Sequence, residues 1–569
     1  MRKKVLQKRK RIFIGLAWPY VNGDIHPGHI AGNFLPADIF ARFQRYLGNE
    51  VLLVSGADCY GTPITIEADK RKISPKEVID EYYPNHLKLF ELYGISFDWY
   101  TKTTTKNHKQ VVKEMLINLA KNGYLLKKKT YQFYSEQDNK FLPDRYVEGE
   151  CGFCGYKESR SDQCDQCGQV LNINDLKNPI SKLTKAKVTL KQTEHLFINW
   201  PKLQTFSEKY IKSKKDYWKP WIYKEAMGWL KNGLKERAIT RDLTWGIEIP
   251  NKQLPKELQL DNIENKRIYV WFEAVIGYLS AAREWGKNWK EFWYPKKQED
   301  VVMYNFMGKD NLVFHSLFWP GQLWGAYKDR VKLPDIISAN QYLNIEGKKF
   351  SKSRGITIDS IYLAQTYGVD PVRFYLTYIM PETGDADFSW QGFVDVTNNV
   401  LIGSMGNYIN RVLTLSKELT FSKAKIDSEV KKNLTKIDEC KELLNKCEFK
   451  LYCQKILELA DFGNKYIDKQ SPWKLDKNSQ EYQSILANGL LIILGLLLVI
   501  KPLIPTTVDK LAKMLGVEIE EWPDKEIIEF LKELLTKVKI TNPAPLFAKI
   551  DPEVVEEERR KIKKDDILA

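Results

Sequence analysis

Two histidines and a glycine form a short segment whose residue types suit phosphate chemistry. The segment is His26-Pro27-Gly28-His29, and it follows an Asn22-Gly23 turn signal. Imidazoles donate hydrogen bonds to phosphate oxygens, and a glycine such as Gly28 lets a nucleotide lie against the backbone. Histidines at this spacing are also common as structural or solvated groups, so the segment alone leaves both interpretations open.

A basic segment between Gly347 and Gly355 carries a second set of candidate phosphate ligands. Its functional side chains are Lys348, Lys349, Ser351, Lys352, Ser353 and Arg354. Ammonium, guanidinium and hydroxyl groups can surround phosphates with donors. A solvated basic loop is the alternative, but its coexistence with the histidine segment favours phosphate binding.

Four cysteines are spaced as two metal-binding pairs. They are Cys151-x-x-Cys154 and Cys164-x-x-Cys167. Such pairing in a long chain favours Zn²⁺ in a reducing compartment over disulfides, and four thiolates leave no open coordination position. The pattern therefore predicts one structural zinc; four unliganded thiols are the alternative. The unpaired cysteines are interpreted as core residues: Cys59, Cys440, Cys447 and Cys453.

Composition favours a globular, basic protein with a polyanionic partner. The 569 residues carry a formal charge of +15 and are 43% apolar, which is long enough for three or four domains. The charge and the many aromatic residues favour nucleic acid. A basic soluble enzyme without a nucleic-acid partner is the alternative.

The histidine segment lies inside a predicted βαβ unit. Arg11 to Ala17 is a β-rich run, a helical pattern extends from His29 to Gly48, and Val51 to Val54 is a second strand. Pro36 is expected to kink or restart the helix. Carboxyl ends of such strands, beside a helix N-terminus, form a phosphate site. Asp58 follows the second strand, where it can bind an ammonium group or cap a turn.

Later segments return to the same α/β domain. Arg267–Phe272, Asp300–Phe306 and Asp335–Ala339 are predicted strands. Trp271, Tyr278 and His315 then belong to one domain with the histidine segment. They are expected to form either an apolar pocket with one polar edge or plain core.

The chain from about Phe393 onward has a helical pattern. Predicted helices cover Asn399–Leu415, Glu429–Ile467 and Glu481–Ile500, with lysine-rich outer faces. The apolar run Ile485–Ile500 is shorter than the ~20 residues that a bilayer requires, so it is interpreted as a buried bundle helix. Glu556–Lys564 is expected to lie outside or to fray.

Together the two basic segments resemble the HIGH and KMSKS signatures of class I aminoacyl-tRNA synthetases. They correspond to His26-Pro27-Gly28-His29 and Lys349-Phe350-Ser351-Lys352-Ser353. Within that class the chain is similar to the methionyl-tRNA synthetase family from Ile12 to about Ile550. Further matching stretches are Ala17–Gly23, Asp58–Pro63, Phe141–Val147, Tyr269–Tyr278, Gly308–Asp310, Phe314–Pro320, Asn407–Arg411 and Ser471–Trp473.

The resemblance implies roles for particular residues. The methionine pocket would be lined by Tyr20, Asp58, Trp271, Ala274, Tyr278 and His315, with Asp58 receiving the amino group. Catalytic phosphate donors would be His26, His29, Lys349 and Lys352. Further ATP contacts would come from Gly28, Asp310, Ser351, Ser353, Arg241 and Glu248. The CAU anticodon would be recognised by Asn407, Arg411 and Trp473.

The same resemblance implies the architecture. We expect an α/β fold: a Rossmann-like parallel-sheet catalytic domain with a zinc-knuckle insertion, followed by an all-α helical bundle. The expected boundaries are 1–102 and 265–336 for the halves of the catalytic domain, 103–264 for the insertion, 337–395 for the KMSKS and stem-contact region, and 396–569 for the anticodon-binding bundle.

The implied activity joins methionine to tRNA(Met) at the expense of ATP. Expected cofactors are one structural Zn²⁺ and Mg²⁺ with ATP, and the expected partners are ATP, L-methionine and tRNA(Met). A cytoplasmic monomer without a membrane partner is expected. Alternatives are a leucine, isoleucine, valine or cysteine synthetase, a non-catalytic tRNA-binding paralogue, and a small-molecule nucleotidyltransferase.

Three residues depart from the family pattern around the pocket. Trp18 replaces a usual leucine, Val275 a usual proline, and Asn311 a commonly apolar residue. They leave the expected fold untouched but affect the shape of the pocket. The region Pro179–Thr184 has no cysteine, so a second knuckle is not expected.

Overall fold

The computed structural model describes residues 9–564 except 138, 143–145, 162–163, 165, 168–170, 172, 232, 351–355, 420 and 422–424. A five-stranded parallel sheet lies at the centre of the N-terminal half. In spatial order its strands are Ile336–Asn340, Val301–Gly308, Arg11–Leu16, Glu50–Ala57 and Trp99–Lys102.

The order of the strands creates a crevice at the first strand. From Arg11–Leu16 the chain proceeds to one edge of the sheet, and it returns later to the other side through Val301–Gly308. Ligands of open parallel sheets bind outside the carboxyl ends of the strands at such a reversal. The sheet therefore places Ala17, Asp58 and Lys309 around one crevice.

Helices cover both faces of this sheet because consecutive residues of its strands are apolar, so that both faces carry apolar side chains. Ile12 and Ile14 pack in the core shared with the bundle, whereas Phe13 packs in the core shared with the insertion. The helices that pack around the sheet are Leu35–Tyr46, Thr62–Arg71, Pro75–Tyr93, Lys106–Lys121, Gly277–Trp285, Trp289–Trp293 and Trp319–Tyr327.

A wide π-helical turn separates the histidine segment from the long helix. Pro27–His29 is one helical turn, Ile30–Phe34 is π-helical, and the α-helix begins at Leu35. Pro36 has no N–H for the Gly32 carbonyl, and the Leu35 N–H bonds Ile30. The predicted irregularity at Pro36 is confirmed.

Asn340 stabilises this turn from the end of the last sheet strand. Its side-chain Nδ2 donates to the carbonyl oxygens of Ala31 and Gly32, each at 3.2 Å. These are the two carbonyls that lose their α-helical donors when the turn widens. The strand Ile336–Asn340, the fifth of the sheet along the chain, therefore fixes the orientation of the histidine segment.

Local residues define both ends of the helix Pro75–Tyr93. The Ser74 hydroxyl accepts from the Glu77 N–H, and the Glu77 carboxylate accepts from the Ser74 N–H at 2.8 Å. This capping box starts the helix at Pro75. Gly94, with φ 65°, ends it in a left-handed cap that suits glycine.

The described residues of the insertion form three small antiparallel sheets and two further helices besides Lys106–Lys121. The largest sheet has the strands Arg237–Ala238, Thr189–Ile198, Leu125–Ser135 and Lys140–Phe141; the cysteine knuckle has Ser159–Arg160, Val147–Cys151 and Leu176–Ser181; the third has Thr240–Asp242, Lys266–Ile268 and Ile247–Glu248. The helices are Gln204–Lys212 and Pro220–Lys231.

After the sheet, a short hairpin leads into the helical part of the chain. Leu343–Ile345 pairs with Lys348–Lys349 and with Ala386–Phe388. The helices that follow the hairpin are Ser360–Tyr367, Val369–Tyr378, Trp390–Asp395, the π-helical Val396–Gly406, Asn407–Leu415, Ser428–Leu434, Lys436–Asn445, Phe449–Gln470, Gln480–Ile500, Pro505–Leu515, Ile527–Leu535 and Val554–Lys564. The predicted fold class, a parallel-sheet domain followed by helices, is confirmed.

One prediction for the helical region is wrong. The segment Glu429–Ile467 is not one helix, because Cys447 adopts φ 56° and ends the helical path before Phe449. The C-terminal segment lies on the outside, as predicted, with Glu556, Glu557, Arg560 and Lys561 exposed, and it forms a helix. Glu558 is buried and accepts hydrogen bonds from Tyr362 and Tyr367 at 2.6 and 2.9 Å.

The most apolar helix lies inside the bundle, as predicted. Gln480–Ile500 has a mean hydropathy of 2.3 over its most apolar stretch, long and apolar enough to cross a membrane. In this structure 89% of that stretch is buried by neighbouring helices. The Tyr408 hydroxyl donates to its Gly489 carbonyl at 2.8 Å.

A buried ion pair connects the helix Leu35–Tyr46, which follows the histidine segment, to the helix Val369–Tyr378. Arg373 Nη2 lies 2.7 Å from Asp38 Oδ2, and both side chains are inaccessible to solvent. Arg42 also contacts Asp38 Oδ2 at 2.9 Å, and Ser96 donates to Oδ1 through its backbone and hydroxyl. These partners outweigh the cost of burial and lower the pKa of Asp38.

The same guanidinium bonds three backbone carbonyls. Arg373 donates to Tyr93, Pro502 and Leu503 at 3.0, 3.2 and 2.8 Å. One buried side chain, that of Arg373, thus joins the end of helix Pro75–Tyr93, the helix Leu35–Tyr46 and the turn after helix Gln480–Ile500. The arrangement fixes the catalytic sheet against the bundle.

We expect the substitution Arg373→Met to destabilise the protein strongly. The substitution breaks the buried pair, leaves Asp38 with Arg42 as its remaining cation among the described residues, and removes the donor of three backbone carbonyls. Breaking a buried ion pair by removing one partner costs ~3–5 kcal/mol of the free energy of unfolding. Urea unfolding measures the loss, with Lys465→Met as the control because the pair of Lys465 with Asp461 is exposed. A loss for Arg373→Met no larger than that of the control would contradict this role of the pair.

Candidate active site

A cavity of about 830 Å³ opens at the carboxyl edge of the sheet. It is lined by the histidine segment, by the ends of the first and second strands, and by two helical segments around Trp271 and His315. The predicted site residues that line it are Tyr20, His26, Gly28, His29, Asp58, Trp271, Ala274, Tyr278, Asp310, His315 and Lys349.

The two signature segments meet in this cavity through Phe350. Its ring stacks on the His26 imidazole with a centroid distance of 4.5 Å and an interplanar angle of 2°. The His26 and His29 rings are 3.8 Å apart. A Cβ at Gly28 would lie 3.0 Å from the His26 ring, so a larger residue there would require the ring to move by a few tenths of an ångström.

Lys349 and Phe350 line the cavity, while the rest of their segment is outside the described residues. The ammonium of Lys349 lies 5.7 Å from the centre of the Tyr342 ring. Ser351, Lys352 and Ser353 fall among residues 351–355, which the structure does not describe. Their predicted roles stay predictions.

Tyr342 is a functional candidate that the sequence did not single out. Its hydroxyl donates to Asp310, and the Lys309 ammonium lies 3.9 Å from its ring centre. Asp385 accepts from the Tyr342 backbone N–H and from Lys309 Nζ, both at 3.0 Å. Tyr342 immediately precedes the Leu343–Ile345 strand of the hairpin, a position that offers no local chemical signal.

Asp58 is a buried carboxylate at the end of the second strand. Its Oδ1 accepts from the Tyr60 N–H at 3.2 Å, and its own N–H donates to the Pro19 carbonyl. Burial raises the pKa of Asp58 well above its usual range. Among the described residues no cation pairs with the Asp58 carboxyl group.

The apolar part of the cavity has one polar edge, formed by Tyr278 and His315. His315 Nδ1 lies 2.8 Å from the Asn311 carbonyl, so this nitrogen carries the proton. Its Nε2 then accepts from the Tyr278 hydroxyl at 2.6 Å. Burial lowers the pKa of His315 to about 4, which keeps the ring neutral. Trp271 stacks on Phe314 beside this pair, at 4.5 Å.

Trp18 narrows the cavity, and two glycines make room for it. A Cβ at Gly56 or Gly277 would lie 2.5 or 2.6 Å from the Trp18 ring. Trp18, Val275 and Asn311 all line the cavity. Of these departures from the family pattern, Trp18 contributes the largest side chain to the pocket wall.

A buried carboxyl–imidazole pair lies behind the Trp18 wall. The Ser280 hydroxyl donates to the Gly277 carbonyl at 3.0 Å, so its oxygen accepts from His108 Nδ1 at 2.8 Å. His108 Nε2 then faces Glu273 Oε2 at 2.7 Å without a proton of its own. Burial lowers the pKa of His108 to about 3 and raises that of Glu273 well above its usual range. Glu273 therefore donates a proton to a neutral imidazole.

Two predicted ATP ligands lie outside this cavity. Arg241 extends over the Tyr269 ring at 4.3 Å and donates to the Thr240 carbonyl. Glu248 is exposed, lines a separate cleft and lies 3.5 Å from Lys113. The structure does not bring either residue to the histidine segment, and their contact with ATP stays a prediction.

The four paired cysteines converge as a metal-binding group. Cys151 Sγ lies 3.9 Å from Cys167 Sγ, and Cys154 Sγ lies 3.6 Å from Cys164 Sγ. All four sulfurs fall within 4.8 Å of one another. Tetrahedral Zn–S bonds of ~2.3 Å place sulfurs ~3.8 Å apart, so the group fits Zn²⁺. The other cysteines are buried, as predicted: Cys59, Cys440, Cys447 and Cys453.

The predicted anticodon residues form one surface patch on the bundle. The Arg411 guanidinium lies 5.7 Å from the Trp473 ring centre and pairs with Asp468 at 2.7 Å. Asn407 is exposed on the same helix as Arg411, and 49% of Trp473 is exposed. An exposed aromatic ring beside a cation suits unpaired nucleotides.

Sequence comparisons identify both parts of the chain. A family model described as tRNA synthetases class I (M) matches residues 12–413, and one for the anticodon binding domain of methionyl tRNA ligase matches residues 420–565. The parallel sheet with both signature segments at its carboxyl edge is thus that of a class I aminoacyl-tRNA synthetase. The chain belongs to the methionyl-tRNA synthetase family of this class.

Individual relatives agree over nearly their full lengths. Methionine–tRNA ligase of Dehalococcoides mccartyi strain CBDB1 is 39% identical over 572 residues, covering 96% of this chain and 99% of the relative. That of Roseiflexus sp. strain RS-1 is 39% identical over 587 residues, covering 96% and 98%. The solved Mycobacterium tuberculosis methionyl-tRNA synthetase in complex with methionyl-adenylate has the same fold, with a TM-score of 0.75, 22% identity and coverage of 95% and 99%.

We expect Glu273→Gln to preserve stability and Glu273→Ala to reduce it. A glutamine amide can donate to His108 Nε2 as the protonated carboxyl does, whereas alanine leaves a buried acceptor unpaired at a cost of ~1–3 kcal/mol. Urea unfolding of both variants measures the difference. If the pair were ionic, Glu273→Gln would leave a buried imidazolium and lose at least as much as alanine, which would contradict the neutral assignment.

Proposed function

We propose that the protein activates L-methionine with ATP and transfers the methionyl group to the 3′ end of tRNA(Met). In the first step a methionine carboxylate oxygen attacks the α-phosphorus, and pyrophosphate leaves with the electrons of the broken P–O bond. In the second step a ribose hydroxyl of the tRNA displaces AMP. Neither step requires covalent catalysis by protein; both require alignment and stabilisation of developing charge.

The observation that carries this proposal is the stacking of Phe350 on His26. It brings the two signature segments together over a cavity that also contains a buried carboxylate, Asp58, and a neutral imidazole, His315. A site with phosphate donors on one side and an ammonium acceptor on the other suits an amino acid and ATP together. A small nucleotidyltransferase would need neither the basic helical bundle nor Trp473.

Methionine recognition is assigned to the apolar side of the cavity. Asp58 receives the ammonium group, because a buried carboxylate gains its counter-ion only when the substrate binds. Tyr20, Trp271 and Ala274 surround the side chain, and the Tyr278–His315 pair presents a polar edge near the thioether. The neutral His315 avoids burying a charge beside an apolar ligand.

ATP activation is assigned to the signature segments. His26 and His29 donate to phosphate oxygens as charge develops, while Gly28 lets the nucleotide approach the backbone. Lys349 and Lys352, with Ser351 and Ser353, close over the β- and γ-phosphates. The remaining candidate ATP contacts are Asp310, Arg241 and Glu248. Mg²⁺ accompanies the triphosphate and neutralises part of its charge.

Anticodon recognition is assigned to the patch on the bundle. Trp473 stacks on a base of the CAU anticodon, and Asn407 and Arg411 bond exposed base edges. The Arg411–Asp468 pair holds the guanidinium in place before tRNA binds. The formal charge of +15 favours the approach of a polyanion.

The cysteine group is assigned one structural Zn²⁺. Cys151, Cys154, Cys164 and Cys167 would fill its coordination, and the ion would stabilise the knuckle without touching a substrate. The enzyme is proposed to work as a cytoplasmic monomer without a membrane partner. A non-catalytic tRNA-binding paralogue is the remaining competitor, and it would have no use for the paired signature segments.

Exchange of pyrophosphate into ATP, tested with each of the twenty amino acids, measures the first step. We expect exchange with methionine alone and a ~100-fold lower rate for Lys352→Ala, the effect of losing one transition-state donor. Lys431→Ala, on the exposed face of the bundle, is the matched control. Exchange with a different amino acid would overturn the methionine assignment. Absence of exchange from the folded protein would favour the non-catalytic paralogue.

A further inference from the structure

The knuckle extends one cationic side chain into the catalytic cavity. Arg160 lies in the short strand Ser159–Arg160, which pairs with Glu148 and Gly149 in the knuckle sheet. Its side chain lines the cavity that contains His26 and Asp58. Among the described residues that line this cavity, Arg160 supplies the one guanidinium.

Arg160 lies on the phosphate side of that cavity. A neighbouring cleft of about 680 Å³ is also lined by His26 and Arg160, but not by Asp58, Tyr278 or His315. The two cavities therefore meet at His26 and Arg160. The methionine side of the site lies away from this junction.

The direction of the reaction places pyrophosphate at the same junction. The attacking carboxylate and the leaving oxygen lie on opposite sides of the α-phosphorus in an in-line displacement. Because the amino acid is held by Asp58, the leaving group departs on the side away from it, towards His26. Negative charge on pyrophosphate rises as the bond between the α-phosphorus and the bridging oxygen breaks.

We propose that Arg160 contacts the β- and γ-phosphates of ATP and stabilises the departing pyrophosphate. The inference rests on the proposed function. A guanidinium is always charged and offers a planar fork of donors that matches phosphate oxygens, so it can neutralise charge that appears during bond breaking. It would act beside His26, where the two cavities meet.

This assignment gives the cysteine knuckle a part in catalysis without a metal contact to substrate. Cys154 and Cys164 lie on either side of Arg160 in sequence, and Cys151 ends the strand that pairs with it. A saturated thiolate site fixes these segments relative to one another. The ion would thereby determine where the guanidinium lies.

The test compares Arg160→Ala, Arg160→Gln and Arg160→Lys in methionine-dependent pyrophosphate exchange by the full-length, zinc-containing chain. For alanine and glutamine we expect kcat/KM for ATP and for pyrophosphate to fall ~100-fold, as for other donors to developing charge. The KM for methionine should change less than about two-fold and the zinc content not at all, because neither touches Arg160. For Arg160→Lys both kcat/KM values should be at least about ten-fold higher than for Arg160→Ala, since lysine keeps the charge.

Lys157→Ala is the matched control, because Lys157 is exposed on the same knuckle and lines neither cavity. Unchanged kinetics in Arg160→Gln, or an equal rise in KM for methionine and ATP, would overturn the inference and leave the proposed function intact. Loss of zinc from both neutral variants would also overturn it, in favour of a purely structural arginine. Absence of methionine-dependent exchange in the unaltered protein would instead reject the proposed function.

Discussion

The buried pair of Asp38 and Arg373 is the constraint on which the arrangement of this protein depends. Asp38 belongs to the helix that follows the histidine segment. Arg373 donates hydrogen bonds to the turn that follows the most apolar helix of the bundle. A charge that has lost its water must retain its partner, so sheet and bundle cannot separate without a large energetic cost. The pair thereby helps to hold the helices of the C-terminal region against the sheet.

A second constraint acts at the start of the same helix. Pro36 removes one backbone donor, the π-helical turn removes another, and Asn340 replaces both. The histidine segment is therefore oriented by the fifth strand of the sheet as well as by its own helix. Phe350 then packs on His26 and holds Lys349, which precedes it, beside the histidine segment. Hydrogen bonds and ring stacking within the chain therefore explain why the histidine segment, its helix, the strand Ile336–Asn340 and the hairpin with Lys349 lie together.

Local sequence patterns predicted the secondary-structure elements and the knuckle but not the contacts between distant residues. Apolar runs and turn signals identified the βαβ unit, and cysteine spacing identified the knuckle. The stacking of Phe350 on His26, the Tyr342–Asp310 bond and the Arg373 network join residues far apart in sequence, so no periodicity or spacing reveals them. The break at Cys447 was missed because a positive φ at a non-glycine residue depends on tertiary packing.

Charging of unfractionated tRNA with labelled methionine tests the central claim most directly. We expect the protein to esterify methionine to tRNA species that carry a CAU anticodon. A transcript with an altered anticodon should accept methionine at least ~100-fold more slowly, because several base contacts are lost. Charging of a tRNA with an unrelated anticodon, or release of methionyl-adenylate without any transfer to tRNA, would contradict it.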